Sequence, residues 1–354
     1  MQFRKYSRGK VYWQSLVGFW VLSCFFYMPA LGQKPLTRFE YSQRHMGTLF
    51  RIVLYAPDST KAGQAARDAF NRVAQLNQIL SDYEQNSELN QLCRTAGTGQ
   101  WVPVSKDLWF VLKKSVEVSE RTKGAFDVTV GPYVQLWRRA RRQGQLPTSE
   151  VLAQARKTVG YQHLKLNKKA KTVQLAVPDM HLDMGAIGKG YAVDEALKIL
   201  RKHGIKSALV DGGGNIVVSR PPPGTKGWAV SLGITAPSDT TQQLKLLLKH
   251  QGVATSGDLY QYLVLDGVRY SHILNPFTGL GLTDQSRVTI VARDGLTADW
   301  LSTAVSVLGP TDGLALADKT PGAAASFIRQ EKDHTRQWLS RRFKKLNTSL
   351  LSTE

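Results

Sequence analysis

Three times between residues 163 and 274, two strand-length runs of apolar and β-branched residues stand on either side of a short turn. His163–Leu166 and Thr172–Ala176 flank a lysine-rich turn, Ser207–Val210 and Asn215–Ser219 flank Asp211-Gly-Gly-Gly, and Tyr260–Leu265 and Val268–Leu274 flank Asp266-Gly267. Strands joined so tightly pair antiparallel, because a parallel crossover needs about a dozen residues or more. Helical patterns are interleaved with them irregularly. Ala66, Phe70, Val73, Leu76 and Leu80 recur at spacings of three and four after Ser59, read as the cap, and Ser87 starts a short helix through Leu92. Leu108–Val118, residues 148–158 and the stretch opened by Gly188 (Ala192, Ala196, Ile199, Leu200) follow the same period. Thr297–Leu308 is a further helix, closed by Gly309-Pro310, and Thr48–Ala56 and Arg287–Ala292 read as strands. The order predicts an α+β fold of mixed, largely antiparallel sheets with packed helices, and argues against a doubly wound parallel sheet.

The 354 residues suffice for one large domain. Residues 1–32 read as a targeting segment: Arg4, Lys5, Arg8 and Lys10 precede an apolar stretch from Val11 to Leu31, and Ala30-Leu31-Gly32 sets small residues where a signal peptidase reads. Cleavage before Gln33, lipoprotein processing at Cys24 and an uncleaved N-terminal anchor are the three alternatives, and all three mean export. The folded domain is expected over residues 33–328, with 329–354 a basic polar tail. Of the two cysteines, Cys24 and Cys93, only Cys93 lies beyond the targeting segment, which leaves no internal disulfide and no cysteine zinc site. The seven histidines have no metal-ligand spacing, so a bound metal would take oxygen ligands. The formal charge is +20, yet no motif that reads RNA or DNA accompanies it, and export argues against nucleic acid. A basic surface or an anionic membrane remains.

Three stretches carry chemistry. In His181-Leu-Asp-Met-Gly-Ala-Ile-Gly-Lys-Gly-Tyr-Ala-Val-Asp194, glycines let the backbone approach a ligand, and Lys189 joins the free amides of a helix start. That suits a phosphate or pyrophosphate, although a glycine-rich turn with a solvated lysine reads the same way. In Ala298-Asp299-Trp-Leu-Ser302-Thr303, Asp299 and Thr303 lie four apart on one helix face, fit for a hard cation or for ordinary helix-start bonding. Gly252–Asp258 and Ser271–Gly279 place His272 at a strand end before a turn, where an imidazole can remove a hydroxyl proton near neutral pH or serve structure alone.

Taken in order, residues 181–194, 211–215, 253–258, 271–279 and 298–303 resemble the ApbE family, the FAD:protein FMN transferases. Met46-Gly47-Thr48, Ser81-Asp-Tyr83, Ser87-Glu-Leu-Asn90 and Gly124-Ala-Phe-Asp-Val-Thr-Val-Gly-Pro132 extend the resemblance to roughly residues 45–310. It implies an exported, periplasmic enzyme, free or held at the inner membrane, that uses Mg²⁺ to split FAD and attach FMN through a phosphoester to a Thr or Ser of target flavoproteins, releasing AMP. Implied acceptors are FMN-binding subunits of membrane redox complexes. Two other functions stay open: magnesium-dependent hydrolysis of FAD to FMN and AMP, and a flavin-binding protein without chemistry. By position, Met46, Tyr83, Ala125, Phe126, Asp127, Asp183, Lys189, His272 and Ser302 match family positions at the flavin nucleotide. The carbonyl of Ala186 and the side chains of Asp299 and Thr303 match the magnesium site, and His272 matches the family's candidate base. Asn275 stands where an aspartate is usual and Gly281 where a proline is frequent; Asp258, Asp284 and Asp294 lie near enough in sequence to supply the missing charge.

Overall fold

The computed structural model describes residues 35–233, 242–257, 262–332, 334–346 and 348–352. The targeting segment and Asp258 therefore lie outside the described residues. In chain order the first elements are β1 (Thr37–His45), β2 (Thr48–Ala56), α1 (Ser59–Leu80), α2 (Glu88–Cys93), β3 (Val102–Pro103) and α3 (Lys106–Arg121). Next come α4 (Gly131–Gln143), α5 (Ser149–Arg156), β4 (Leu164–Asn167), β5 (Thr172–Leu175), α6 (Gly188–Lys202), β6 (Ala208–Gly212) and β7 (Ile216–Val218). Then follow β8 (Trp228–Gly233), β9 (Gln242–Leu248), β10 (Gln251–Gly257), β11 (Tyr262–Leu265), β12 (Val268–Ser271) and β13 (Ser286–Ala292). The last are α7 (Gly295–Lys319), β14 (Ala324–Gln330), β15 (Thr335–Leu339) and β16 (Thr348–Ser352).

Eight strands form one sheet in the order β1-β2-β6-β7-β10-β13-β14-β15, and every neighbouring pair is antiparallel. The α+β expectation holds. β8, β9 and β16 make a three-stranded sheet, β3, β4 and β5 another, and β11 and β12 a separate hairpin. In that hairpin Asp266 and Gly267 both take positive φ, 48° and 76°, the pairing that a twisted two-residue turn requires.

Helices α1, α6 and α7 pack on one another and on the eight-stranded sheet. The large core joins Phe50, Ile52 and Leu54 of β2, Phe70, Val73 and Leu76 of α1, Ala192 and Ala196 of α6 and Leu301 and Val305 of α7. A second core gathers Val53, Leu209 and Val253 of the same sheet with Trp228, Val230 and Leu246 of the three-stranded one. Val53 lies between Ile52 and Leu54 and enters the other core, so the sheet is buried on both faces.

Two expectations need correction. Asp58, not Ser59, caps α1, accepting from the Lys61 amide at 2.8 Å. Ser87 does cap α2, from the Asn90 amide. Residues 329–354, expected as a tail, instead supply structure through Ser352. β15 pairs with β14, β16 pairs with β9, and Phe343 between them is buried. Backbone pairing at a sheet edge stabilises a strand without the apolar alternation that would announce it. The helix predicted to close at Gly309-Pro310 does break there: Gly309 takes φ 74° and ψ −177°, and a second helical stretch follows to Lys319.

Candidate active site

Gly190 is where α6 and α7 meet. A Cβ built on it would lie 2.6 Å from the Asp299 Cβ and collide with the Gly295 carbonyl, so only glycine allows this approach. The Gly190 N–H donates to Asp299 Oδ2 at 2.8 Å. Gly190 is the third residue of α6, where no intrahelical bond is due, and the Ala186 carbonyl has no hydrogen bond among the described residues. No side chain caps α6, and the Lys189 amide is also free among those residues.

Asp299 is buried. Burial pushes its carboxyl above the ordinary range; the Lys189 ammonium, the Gly190 amide and a hydrogen bond from the Asn215 side chain oppose the shift. Asn215 is itself buried, and its Oδ1 has no partner. The turn that delivers it rests on Thr48, because a side chain at Gly213 would strike that threonine. Met46, in the β1–β2 turn with φ 49°, is thereby brought to the same end of the sheet. Thr303 is half-buried, one turn beyond Asp299, and its hydroxyl makes no hydrogen bond among the described residues.

Lys189 links this group to a second one. Its ammonium donates to the Gly185 carbonyl at 3.1 Å, and its charge acts on Asp183 as well as on Asp299. Asp183 Oδ1 accepts from the Gly185 amide at 2.7 Å, and Oδ2 lies 3.8 Å from Arg138. Burial, reinforced by the nearby Asp82 charge, pushes Asp183 up to about 6 against the pull of the Gly185 amide, Arg138 and Lys189. Arg138 is also ion-paired to Asp82 and covers the Tyr83 ring at 3.8 Å. Tyr83 is 74% exposed. Asp82, Tyr83, Arg138 and His181 line a cavity of about 300 Å³.

Four further predicted positions are buried. Ala125 and Phe126 are buried, Phe126 edge-on to Trp300 at 6.5 Å. Asp127 braces a fold junction: Oδ1 accepts from the Thr129 amide and hydroxyl at 2.8 and 2.7 Å, and Oδ2 from the Tyr161 amide at 2.8 Å. Burial raises its pKa, and those three bonds lower it. Ser302 is buried, donates to the Asp299 carbonyl and meets the Ser256 hydroxyl at 2.7 Å, which ties α7 to β10.

His272 is exposed, just past β12. Its loop packs on the first half of the chain: Phe277 lies against Gly124, and the Arg156 side chain donates to the Phe277 carbonyl. Asn275 orders that loop, its Oδ1 accepting from the Phe277 amide at 2.9 Å. Gly281 bridges to Leu274 so close to the Ser271 carbonyl that a side chain there would collide. Of the acids that were to replace the charge missing at 275, Asp284 pairs with Arg329 and Asp294 caps α7.

Asn215, Asp82 and Arg138 escaped the sequence reading. Asn215 and Asp82 sit inside blocks that were recognised, and a buried polar residue after three glycines was a usable signal. Arg138 has none, since it is one of four arginines within Arg138–Arg142.

Solved structures with this architecture define the class. The flavin transferase ApbE from Vibrio cholerae superimposes with a TM-score of 0.79 at 28% identity, over 88% of this chain and 100% of that one. The apo Pseudomonas stutzeri flavinyl transferase ApbE gives 0.77 at 29%, over 88% and 97%. The fold is that of the flavin transferases. The chain belongs to the ApbE family, whose sequence model matches residues 46–327. Curated relatives include the FAD:protein FMN transferases of Klebsiella pneumoniae (strain 342), 31% identical over 84% of this chain and 86% of theirs, and of Treponema pallidum (strain Nichols), 33% identical over 83% and 85%.

Proposed function

We propose that the chain is a magnesium-dependent FAD:protein FMN transferase. The observation that carries this reading is the convergence of Lys189, the uncapped start of α6 and the buried Asp299 around a carbonyl, a hydroxyl and an amide oxygen that have no partner. The names of the curated relatives agree with it.

The donor set suits magnesium. Among the described residues no group of three or more His, Cys, Asp or Glu gathers, which speaks against zinc. Magnesium is commonly held by one or two carboxylates, with water and substrate phosphate completing its shell. Asp299, the Ala186 carbonyl and the Thr303 hydroxyl would hold it, and the orphan Asn215 Oδ1 stands beside them. Bound there, the cation would stabilise charge on the phosphoryl and leaving oxygens.

The chain's own groups would do the rest. Lys189, through its ammonium and its free backbone amide, receives the pyrophosphate of FAD. Tyr83, held by Arg138, offers a ring face at the rim, and Asp183 sits behind it. An acceptor threonine or serine gives its proton to His272, which is exposed where another protein can reach it. The acceptor oxygen bonds to the phosphorus on the FMN side, that phosphorus loses its bridging oxygen, and AMP departs with it.

Purified protein, FAD, Mg²⁺ and an FMN-binding subunit of a membrane redox complex should yield a fluorescent acceptor band that survives denaturing electrophoresis. AMP released equally fast without acceptor would favour hydrolysis, and flavin bound tightly with no AMP would leave only a carrier. We also assign residues 1–32 to export and place the protein in the periplasm or at the inner membrane; cell fractionation that finds it in the cytoplasm would reject this.

A further inference from the structure

A second cleft, of about 530 Å³, is lined by α3, by α6 beyond its first turn and by the start of α7. Lys189, Asp183 and Asp299 do not line it. Its lining is mostly basic, with Lys198 also paired to Glu195 at 2.6 Å. Lys113, Lys114, Arg121, Lys198, Arg201 and Arg293 all face it. Three carboxylates face it too, yet they are taken. Asp194 accepts from the Gly295 and Leu296 amides at 2.9 Å each, Asp294 caps Thr297, and Glu117 is shared by Lys113 and Lys114. The Arg201 guanidinium has neither hydrogen bond nor ion pair among the described residues.

The walls add two features that a merely solvated basic face lacks. Phe110, half exposed, stacks on Tyr191 at 5.3 Å and 30°, which makes an aromatic platform at the rim. Trp300 lines the cleft, is 1% exposed, and its buried indole N–H has no hydrogen-bond partner among the described residues. The Arg121 guanidinium covers the same indole at 5.7 Å.

We propose that this cleft binds a small phosphate-bearing molecule, at a site distinct from the one built on Lys189 and Asp299. Guanidinium and ammonium groups around a low-dielectric recess favour a compact dianion or trianion, and the volume is that of small-ligand sites. Phosphate oxygens would take the Arg201 guanidinium and the neighbouring cations. A planar ring attached to the phosphate would lie on Phe110, which separates a nucleotide from an inorganic ion. The proposal does not depend on the transfer reaction.

The test is calorimetric titration of the intact protein in magnesium-free buffer, with inorganic pyrophosphate in one arm and AMP in the other. The expected result is a binding event that survives Lys189→Ala and weakens about ten-fold or more in Lys198→Glu/Arg201→Glu, where two opposing charges are introduced. Arg121→Gln removes one guanidinium from the opposite wall and should weaken it about five-fold, which keeps the test open should the double variant fail to fold. AMP binding that exceeds pyrophosphate binding and falls in Phe110→Ala marks a nucleotide site; equal binding marks a phosphate site. Equal affinity in wild type and Lys198→Glu/Arg201→Glu, loss on Lys189→Ala alone, or no heat at millimolar ligand would overturn it.

Discussion

Asp127 and Asp299 are both buried acids inside family blocks, and both have raised pKa values because burial penalises charge. Their surroundings differ. Three donors close on Asp127, all from its own fold junction. Asp299 receives the Gly190 amide, while around it the Ala186 carbonyl, the Thr303 hydroxyl and the Asn215 Oδ1 are unpartnered. A buried carboxylate whose oxygens are all engaged holds a structure together. One surrounded by unpartnered oxygens is suited to a cation from outside.

The largest effect expected from that contrast is on activity. Asp299→Ala should lower magnesium-dependent AMP release by about 1,000-fold, read in a coupled assay, with little change in the urea midpoint; near-normal turnover would erase the distinction. Asp127→Ala should do the converse. Losing three hydrogen bonds and orphaning their donors should cost about 3 kcal/mol in urea unfolding, while molecules that stay folded keep most of their turnover.

Asp183 sits between these cases and shows it through pH. Its folded-state pKa, about 6, lies above the unfolded 3.8. Its ionisation therefore lowers stability as pH rises from about 4 through 6. Asp183→Asn should be more stable than wild type at pH 8, by an amount on the order of 2 kcal/mol, with the gap closing by pH 4. A gap independent of pH would show that Arg138 and Lys189 fully compensate the charge. The smallest effect belongs to Thr303→Ala: about five-fold less activity at limiting magnesium, recovered at excess, because a neutral ligand tunes affinity more than chemistry.

The elements that bury a face were legible in the sequence. The apolar period of α1, the Asp266-Gly267 turn and the Gly309 break all follow from local chemistry. β15 was not legible, since three of its five residues are exposed and backbone pairing alone places it. The same division runs through the site. Lys189, Asp299 and Thr303 lie in compact motifs, so spacing brought them forward. Asn215 reaches Asp299 from another strand pair, and Arg138 meets Asp82 and Asp183 across 56 and 45 residues. Long-range convergence of that kind leaves no periodic trace.

The bare Cα at Gly190 sets how near two helices stand, and through that which ions the proposed site would tell apart. Magnesium demands oxygen distances near 2.1 Å, whereas calcium accepts about 2.4 Å and more neighbours. A methyl group at 190 would wedge α6 from α7 and move Ala186 away from Asp299. Such a variant should lose discrimination between the two metals before it loses the capacity to bind either, so the absence of one side chain would act as a ruler for ionic radius.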